Sequence, residues 1–347
     1  MELLPVPDLP EVSPGDDLAG MIADRIPLEP GDVVTVASTV VSKAEGRTVD
    51  LADVTAGERA ERIATRLEAI TGDPKDPRFA QVVLDESEEL LMEAPFVLTV
   101  SPFGHVGVNA GIDRSNVADH DLLLLPTDPT ASAERIRTGL LSHVEWSHDR
   151  GGSDGGEGSG ERGGSDGGEA SGERGGSSEG RERSAVTPTR GDGGRVSPSD
   201  ATTSDGSILD EDVPTDVDSR PSADDQPEDS DDHTGGVDDL AVIVTDTCGR
   251  PFRHGQRGVA LGWAGMPASR DWRGEPDRDG RELGVTVQSV VDELAAAANL
   301  VAGEGAGGTP AVVVRDFAFG DLAGSDRLFR DPEDDFVRQA LREWSFE

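Results

Sequence analysis

Several residue types are scarce, and each scarcity narrows what the protein can be. A single cysteine, Cys248, in 347 residues excludes an internal disulfide and any cysteine-rich zinc site. Only two lysines, Lys43 and Lys75, accompany 29 arginines, so general nucleic-acid binding, which requires clustered basic residues, is not expected. No apolar run could span a membrane, and Met1 is followed by Glu2 rather than by a signal sequence. We expect a cytoplasmic protein with no membrane partner.

Acidic residues, in contrast, are in large excess. The net charge is −39, and residues 146–237, with 23 acids and 8 arginines, contribute −15 of it, so the rest of the chain still carries −24. A surface rich in acids and poor in lysine keeps a protein hydrated where concentrated salt screens charge repulsion. This balance predicts a halophilic protein from an archaeal cytoplasm.

Residues 146–237 also differ from the rest in complexity. The sequence GGSDGGEGSGER at 151–162 recurs with one change at 163–174, and an acidic tract of Ser, Asp and Pro follows. Such a composition has too little apolar surface to offset the entropy of ordering. We predict a disordered acidic insertion between two parts of one folded core, residues 1–145 and 238–347.

Apolar patterning outside this insertion predicts alternating strands and helices. Strands are predicted at 33–37, 95–100, 122–125, 240–244, 259–266 and 311–315. Helices are predicted at 18–26, 57–70, 79–92, 285–301 and 331–341, with a further helix that starts near residue 128.

The most informative stretch is LAVIVTDTCGR at 240–250. Its apolar run is too short for a helix and breaks into Asp246 and Thr247, which predicts a buried strand that delivers an acid to a loop. Carboxylate and hydroxyl oxygens are the hard ligands that Mg²⁺ or Mn²⁺ takes when it also holds a nucleotide's phosphates. An acid that caps the next turn explains this stretch equally well.

Two other segments carry polar groups suited to a ligand. Ser38, Thr39 and Lys43 follow the strand at 33–37, and hydroxyls and lysine bind phosphate oxygens, although a solvated strand edge is the alternative. The segment 104–117 mixes glycines with Asp113 and Asn116, which indicates a tight backbone and close approach to a ligand. A β-bulge or turn would explain its glycines as well. Its histidine, at position 105, is expected to be a surface or packing residue.

A glycine-rich link and an arginine cluster complete the candidates. Residues 303–310 lack the Gly-Lys-Ser/Thr of a phosphate-binding loop and leave a helix C-terminus, whose dipole disfavours anions, so Glu304 is interpreted as a metal carboxylate. Arg250, Arg253 and Arg257 form a locally basic patch suited to anionic substrate groups, unless they pair with the abundant acids.

Seven motifs occur along the chain in a fixed order: LPEV at 9–12, STVVSKAEGR at 38–47, VVLDESEELL at 82–91, VGVNAGIDRSNV at 106–117, VIVTDTCGRPFRHG at 242–255, DGRELGVTVQSVVDELAAAANLV at 279–301 and GEGAGGTPAVVVR at 303–315. Over about 1–143 and 238–347 the chain closely resembles the coenzyme F420-0:L-glutamate ligase family. The resemblance implies an α+β fold with mixed sheets and packed helices, and an intertwined homodimer. The insertion has no counterpart in that pattern, and no nitroreductase-like domain is appended, which resembles the archaeal stand-alone form.

The family resemblance also implies the chemistry. Its members use GTP, two divalent ions (Mg²⁺ or Mn²⁺) and K⁺ to attach L-glutamate to the lactyl carboxylate of the deazaflavin coenzyme F420-0, and then a second glutamate by a γ-linkage. Carried over by motif, the divalent-metal ligands are Asp113, Asp246, Thr247 and Glu304. The expected GTP contacts are Leu9, Pro10, Glu11, Val12, Ser38, Thr39, Lys43, Asn116, Ala302, Gly303, Glu304, Gly305, Ala306, Gly307, Gly308 and Thr309.

These parts predict a mechanism in which Lys43, Asp113 and Asp246 are catalytic. Transfer of the GTP γ-phosphoryl group to the substrate carboxylate gives an acyl phosphate, which the glutamate amine attacks, and positioning and charge neutralisation dominate such a transfer. Two alternatives remain open. One is another metal- and nucleotide-dependent carboxylate-amine ligase with a different acceptor. The other is a non-catalytic GTP-binding protein whose acidic insertion is an interaction tail.

Overall fold

The computed structural model describes residues 1–115, 117, 120–144, 240–305, 307–320 and 324–344. These residues belong to one compact unit. The predicted insertion at 146–237 lies outside them, so the predicted domain boundaries stay a prediction.

The strands are β1 Glu2–Pro5, β2 Val33–Ala37, β3 Thr48–Val49, β4 Glu89–Met92, β5 Leu98–Val100, β6 Val106–Val108, β7 Leu122–Leu123, β8 Ala241–Arg250, β9 Arg253–Ala264, β10 Ser269–Asp271, β11 Val287–Ser289, β12 Ala311–Arg315 and β13 Gly324–Ser325. The helices are α1 Leu18–Ala23, α2 Ser38–Ala44, α3 Glu58–Thr71, α4 Pro77–Asp85, α5 Pro129–His143, α6 Val290–Ala302 and α7 Phe336–Glu343, with 3₁₀ turns at Leu51–Asp53 and Asn109–Gly111.

A five-stranded sheet of order β1-β12-β2-β8-β9 forms the centre. Strands β2 and β8 are parallel, and the other neighbours are antiparallel. On β8, Val242 and Val244 contact the apolar cluster that includes α1 and α5, whereas Ala241 and Ile243 contact the cluster that includes α6. Because both faces are buried, the strand is continuously apolar, and the buried strand predicted at 240–244 is confirmed.

Three smaller sheets surround this centre, namely β4-β5-β6, β3-β7 and β11-β10-β13. Helices α3 and α4 pack together beside the first of them, with Ile63 and Val83 in their shared apolar cluster. The prediction of an α+β protein with mixed sheets and packed helices is therefore confirmed. None of the helices in the described ranges is both long and apolar enough to cross a bilayer.

Helix α5 confirms the helix predicted near residue 128. Asp128 caps it by accepting a hydrogen bond from the Ala131 amide at 2.9 Å, and Pro129 occupies the first turn, where a missing N–H costs nothing. His105 is also confirmed as a packing residue, since it is buried with its ring edge-on to Phe329. Burial lowers the pKa of His105 to about 4, so this imidazole is neutral at pH 7.

The predicted helix at 79–92 is wrong beyond Asp85. Helix α4 ends there, and Glu89–Met92 forms β4, which pairs with β5. Glu89 accepts hydrogen bonds from Arg338 and Arg342 of α7, far away in the chain. Local periodicity cannot report a contact of this kind, which explains the error.

Other boundaries differ for similar reasons. The strand predicted to break at Asp246 continues to Arg250 as one arm of a hairpin with β9. The helix predicted from residue 285 begins only at Val290, because Val287–Ser289 pairs with β10. The first helix stops at Ala23 instead of 26, and the tail helix predicted over 331–341 is α7, at Phe336–Glu343.

A buried ion pair joins the end of β12 to the start of β2. Arg315 donates to both carboxylate oxygens of Asp32 at 2.9 and 2.8 Å, and Asp32 is 1% exposed. We expect Arg315→Ala to lower the free energy of unfolding by about 3 kcal/mol, because it leaves a buried carboxylate without its partner. Chemical denaturation measures this. The control is Arg327→Ala, which removes an 83% exposed arginine and should change stability by less than about 0.5 kcal/mol.

Gly262 on β9 lets α5 approach the sheet. A Cβ at this position would lie 2.3 Å from backbone atoms of Pro129 and Thr130, so Gly262→Ala must displace the helix. We expect a loss of about 2 kcal/mol in the free energy of unfolding. Gly284→Ala is the matched control, because a Cβ there meets no atom within 4 Å. Equal stability of the two variants would contradict this packing.

Candidate functional site

Four chain segments meet at one edge of the central sheet. Parallel pairing of β2 with β8 sets Ala37 beside Thr245, so the residues that follow, Ser38 and Asp246, are neighbours. Strand β12 runs the opposite way and enters at this edge, where Pro310 accepts a hydrogen bond from the Ala37 amide at 2.8 Å. Strand β1 leaves at the same edge. The segments 9–12, 38–43, 246–247 and 303–309, all predicted to bind ligand, are brought to one place.

Asp246 is the chemical centre of this edge. It lies on β8 opposite Val259, and its carboxylate accepts hydrogen bonds from the Ser38 hydroxyl and the Thr247 amide. Burial is the main cause that raises the pKa of Asp246 from 3.8 to about 6; the negative charges of Asp113 and Glu304 act in the same direction, and the two hydrogen bonds oppose them. Asp113 and Glu304 therefore lie close enough to Asp246 to repel its charge.

Asp113 reaches the site from a segment that does not belong to the central sheet. Its backbone pairs with Leu123 through two hydrogen bonds of 2.9 Å, and its carboxylate accepts from the Ser115 amide and hydroxyl at 2.7 and 2.8 Å. Asn109, Ala110 and Gly111 before it have positive φ angles. The tight backbone predicted for this segment is thus confirmed, and Asp113 lies near enough to Asp246 to act on its charge.

Glu304 follows the end of α6. Gly303 ends the helix with a φ of 74°, and the Asn299 side chain donates a hydrogen bond to the Glu304 carboxylate at 2.8 Å. At Gly305 and Gly308 a Cβ would meet no atom within 4 Å, so the link runs through open space. Ala306 and Asn116, two of the predicted GTP contacts, lie outside the described residues.

Lys43 and the segment 9–12 are brought together by a salt bridge. The Lys43 ammonium, on a side chain 14% exposed, contacts the carboxylate of Glu11, which is 76% exposed. Leu9 and Val12 pack against the core, so their side chains are not available to a polar ligand. Of this segment, Glu11 and the exposed Pro10 can offer side chains.

Helix α2 begins at Ser38 directly after β2, with no connecting residue. No side chain caps its first backbone amides, which include those of Ser38 and Thr39 at the sheet edge. Unpaired amides at a helix start favour an anion. Thr247, the fourth predicted metal ligand, is half-buried opposite Gly258.

The four predicted metal ligands do not form a preassembled cage. Among the described residues, no three His, Cys, Asp or Glu side chains are arranged so that they could together hold one ion. The donor types do fit Mg²⁺ or Mn²⁺, because all four offer hard oxygens. Asp113 and Glu304 are near enough to act on the charge of Asp246, but the three carboxylates do not form a coordination shell.

Sequence reasoning missed three supporting residues. Ser115 and Asn299 hold two of the acidic side chains, and Arg25 donates to the Asp8 carbonyl at 2.9 Å, which fixes the start of the segment 9–12. The spacing Asp-x-Ser at 113–115 is typical of a local turn and could have indicated Ser115. Nothing local indicated Arg25.

Comparison with known proteins shows the family of this chain. A family model described as F420-0:Gamma-glutamyl ligase matches residues 8–148 and 218–316. The coenzyme F420:L-glutamate ligase of Halorubrum lacusprofundi is 51% identical over 347 residues, 100% of each chain. That of Haloarcula marismortui is 50% identical over 99% of this chain and 98% of its own, and that of Archaeoglobus fulgidus is 36% identical over 99% and 98%. The chain therefore belongs to the F420-0:gamma-glutamyl ligase family, whose members are enzymes that form carbon–nitrogen bonds.

Proposed function

We propose that this enzyme of coenzyme F420 biosynthesis uses GTP to join L-glutamate to the lactyl carboxylate of coenzyme F420-0, and then adds a further glutamate by a γ-linkage. The observation that carries the proposal is the meeting of Asp113, Asp246 and Glu304 with Ser38 at one sheet edge, where Ser38 begins the helix that carries Lys43. Family membership and the names of the relatives support the acceptor and the amino acid.

The clustered acids support binding of divalent cations. The negative charges of Asp113 and Glu304 disfavour the ionised form of Asp246, and a bound cation would remove this penalty. Mg²⁺ commonly takes only one or two protein carboxylates and fills its remaining positions with water and substrate phosphates. A site without a preassembled cage is therefore compatible with two divalent ions, which Asp113, Asp246, Thr247 and Glu304 would hold. K⁺ is part of the same proposal.

The neighbourhood of Lys43 supports nucleotide binding. Its partner Glu11 is largely exposed, and such a surface pair contributes little, so a phosphate can replace that carboxylate at small cost. The α2 amides after Ala37 and the hydroxyls of Ser38 and Thr39 add donors on the same side. GTP phosphates would then lie between these donors and the acidic side chains.

The mechanism follows from these positions. The lactyl carboxylate attacks the γ-phosphorus, GDP leaves, and the acyl phosphate forms, while Lys43 stabilises the charge on the transferring group. Bound divalent ions supply charge neutralisation of the phosphate oxygens. The glutamate amine then attacks the acyl carbon, loses a proton, and releases phosphate. Asp113 and Asp246 would hold the divalent ions, which carry the positive charge that the phosphates need.

Turnover tests the proposal directly. In KCl-rich buffer with Mn²⁺, GTP and L-glutamate, we expect GDP release only when coenzyme F420-0 is present, and a coenzyme heavier by one or two glutamyl units in mass spectrometry. GDP release without that mass change would favour a different acceptor. GTP binding by folded protein with no phosphate release would favour a non-catalytic GTP-binding protein.

Replacing Asp246 should separate stability from activity. Because the pKa of Asp246 is raised to about 6 in the folded protein, its ionisation lowers the free energy of unfolding as the pH rises from about 4 to 6. The full loss of stability is present at pH 7. We expect metal-free Asp246→Asn to be about 2 kcal/mol more stable than wild type at pH 7, with the difference falling towards pH 4, while turnover falls at least about 100-fold. Thermal unfolding in EDTA measures the first effect. The control Asp53→Asn, at an exposed position, should change neither the stability nor the turnover. An Asp246→Asn variant less stable than wild type would refute the electrostatic account.

The chain's two lysines provide a matched pair of variants. Lys43→Met removes a positive charge that we place at the phosphates, so we expect kcat/KM for GTP to fall about 100-fold. Lys75→Met changes a lysine on the link before α4 and should leave kcat/KM within about threefold of wild type. Steady-state GDP release measures both, and equal effects of the two variants would argue against a phosphate role for Lys43.

A further inference from the structure

Helix α6 packs closely against the strand that lies opposite Thr247. Thr247 on β8 pairs with Gly258 on β9, and directly opposite residues of a ladder project from the same face of the sheet. A Cβ added to Gly258 would lie 2.5 Å from the Ala295 carbonyl oxygen and 3.0 Å from the Cβ of Asn299. The second half of α6 therefore covers this face, and Asn299 lies beside the rung that carries Thr247.

A second contact fixes α6 on the same strand. In the first turn of the helix, Asp292 accepts a hydrogen bond from the Ala260 amide at 2.9 Å, where the β8–β9 pairing shifts register. The other carboxylate oxygen lies 3.8 Å from Arg257, so this arginine of the predicted basic patch pairs with an acid. Asn299 follows Asp292 by two helical turns and projects from the same face of α6. The helix thus presents Asn299 at a fixed position beside the ladder.

The side chain of Asn299 in turn locates Glu304. Its amide nitrogen donates a hydrogen bond to the Glu304 carboxylate at 2.8 Å, and its main-chain carbonyl accepts one from the Gly303 amide at 2.9 Å. Within the part of the chain that the structure describes, the Glu304 carboxylate accepts no other hydrogen bond. A Cβ on Gly303 or Gly305 would meet no atom within 4 Å, so packing of the adjacent backbone does not fix this side chain. Its orientation depends on Asn299.

We infer that Asn299 is a positioning residue for Glu304, whose carboxylate it holds at the sheet edge, on the α6 side from which Thr247 projects. A side chain that is already oriented loses less conformational freedom when it binds an ion. Residues that orient metal ligands in this way typically contribute about 10- to 100-fold to metal affinity. The inference rests on the proposed function, because it takes Glu304 and Thr247 to be ligands of the divalent ions.

A purely structural role is the alternative. Asn299 would then brace the end of α6 through its two hydrogen bonds and have no effect on ion binding. The two roles predict different results, because bracing affects stability alone, whereas positioning affects metal affinity. A single neutral hydrogen bond near the surface contributes little to stability, so the two effects can be measured separately.

Binding of Mn²⁺ alone to the full-length, nucleotide-free protein tests the inference, in KCl-rich buffer and with the electron paramagnetic resonance signal of the free ion as the readout. We expect Asn299→Leu, which keeps the size of the side chain but has no donor, to raise the Kd about tenfold. Asn299→Ser, whose side chain is too short to reach Glu304, should do the same, and Asn299→Gln, which keeps the donor, should lie between them and wild type. The midpoint of thermal unfolding in EDTA should shift by less than about 3 °C.

Gln288→Leu is the matched control. Gln288 donates to the Glu293 carboxylate at 2.6 Å across the same spacing of five residues as Asn299 and Glu304, but at the other end of α6. A helix of 13 residues is about 20 Å long, so this hydrogen bond is remote from the acidic side chains. Its loss should leave the Kd for Mn²⁺ within about twofold of wild type.

Turnover supplies a second readout. The apparent KM for Mn²⁺ in GDP release should rise about tenfold in Asn299→Leu, while kcat at saturating Mn²⁺ stays within about threefold of wild type, because a bound ion holds Glu304 by itself.

A double variant shows whether Asn299 acts through Glu304. In a Glu304→Gln background, Asn299→Leu should change the Kd for Mn²⁺ by less than about twofold, because the carboxylate through which it acts is gone. A further loss of about tenfold in that background would mean that Asn299 binds the ion itself, and would overturn the positioning role.

The outcomes separate this inference from the proposed function. An unchanged Kd and KM for Mn²⁺ in Asn299→Leu, with normal wild-type turnover, overturns the positioning role and leaves the function. Mn²⁺ binding that depends on Asn299, without any glutamate addition, supports the positioning role and overturns the function. Wild type that neither binds Mn²⁺ nor requires it for GDP release overturns both.

Discussion

The parallel pairing of β2 with β8 is the interaction on which the site depends. It joins residues 33–37 to residues 241–245, which are about 200 positions apart, and it fixes their register one residue to one. Because parallel strands end at the same edge, Ser38 at the start of α2 meets Asp246. A shift of one residue would turn Asp246 to the other face of the sheet and remove the carboxylate from its hydroxyl partner.

The site also shows a balance between stability and chemistry. Burial, and after it the charges of Asp113 and Glu304, raise the pKa of Asp246, and Arg250 lies directly opposite Arg253 at the end of the β8–β9 hairpin. Both arrangements are unfavourable for the protein alone, and each is complementary to a charge of the opposite sign. Such local conflicts within a well-packed core are typical of sites where ligands supply the missing partner. Asp32, the buried acid between β2 and β12, differs from Asp246 because both of its carboxylate oxygens are paired with Arg315.

Sequence patterns predicted the central strands well, and the roles of the candidate residues at the sheet edge stay predictions. Continuous apolar runs such as 240–244 and 311–315 identify buried strands because their signal is local. The errors share one physical origin, which is that a distant partner decided the local structure. Glu89–Met92 is a strand because β5 pairs with it, and Val287–Ser289 is a strand because β10 does. No pattern within either segment could have shown this.

The site residues divide in the same way, into those that the sequence indicates and those that only contacts in the fold reveal. Asp246 and Lys43 stood out by type and position, whereas Arg25 and Asn299 became visible only when the fold brought their partners to them. Family resemblance named ligands, but it could not show that Leu9 and Val12 face the core. The hairpin arginines stood out in the sequence, and the rung that sets Arg250 against Arg253 came only from the register.

The glycine-rich link at 303–309 gives this site an uneven stiffness. On one side, β2 passes into α2 without a connecting residue, and the backbone of that wall is held by the sheet ladder. On the other side, Gly305 and Gly308 have open space around them. One wall of the site is therefore held in place by the ladder, whereas the described glycines of the other wall have room to move. For the proposed ligands, adjustment of the backbone would fall to these glycines, while the wall that positions Ser38 and Asp246 stays in place.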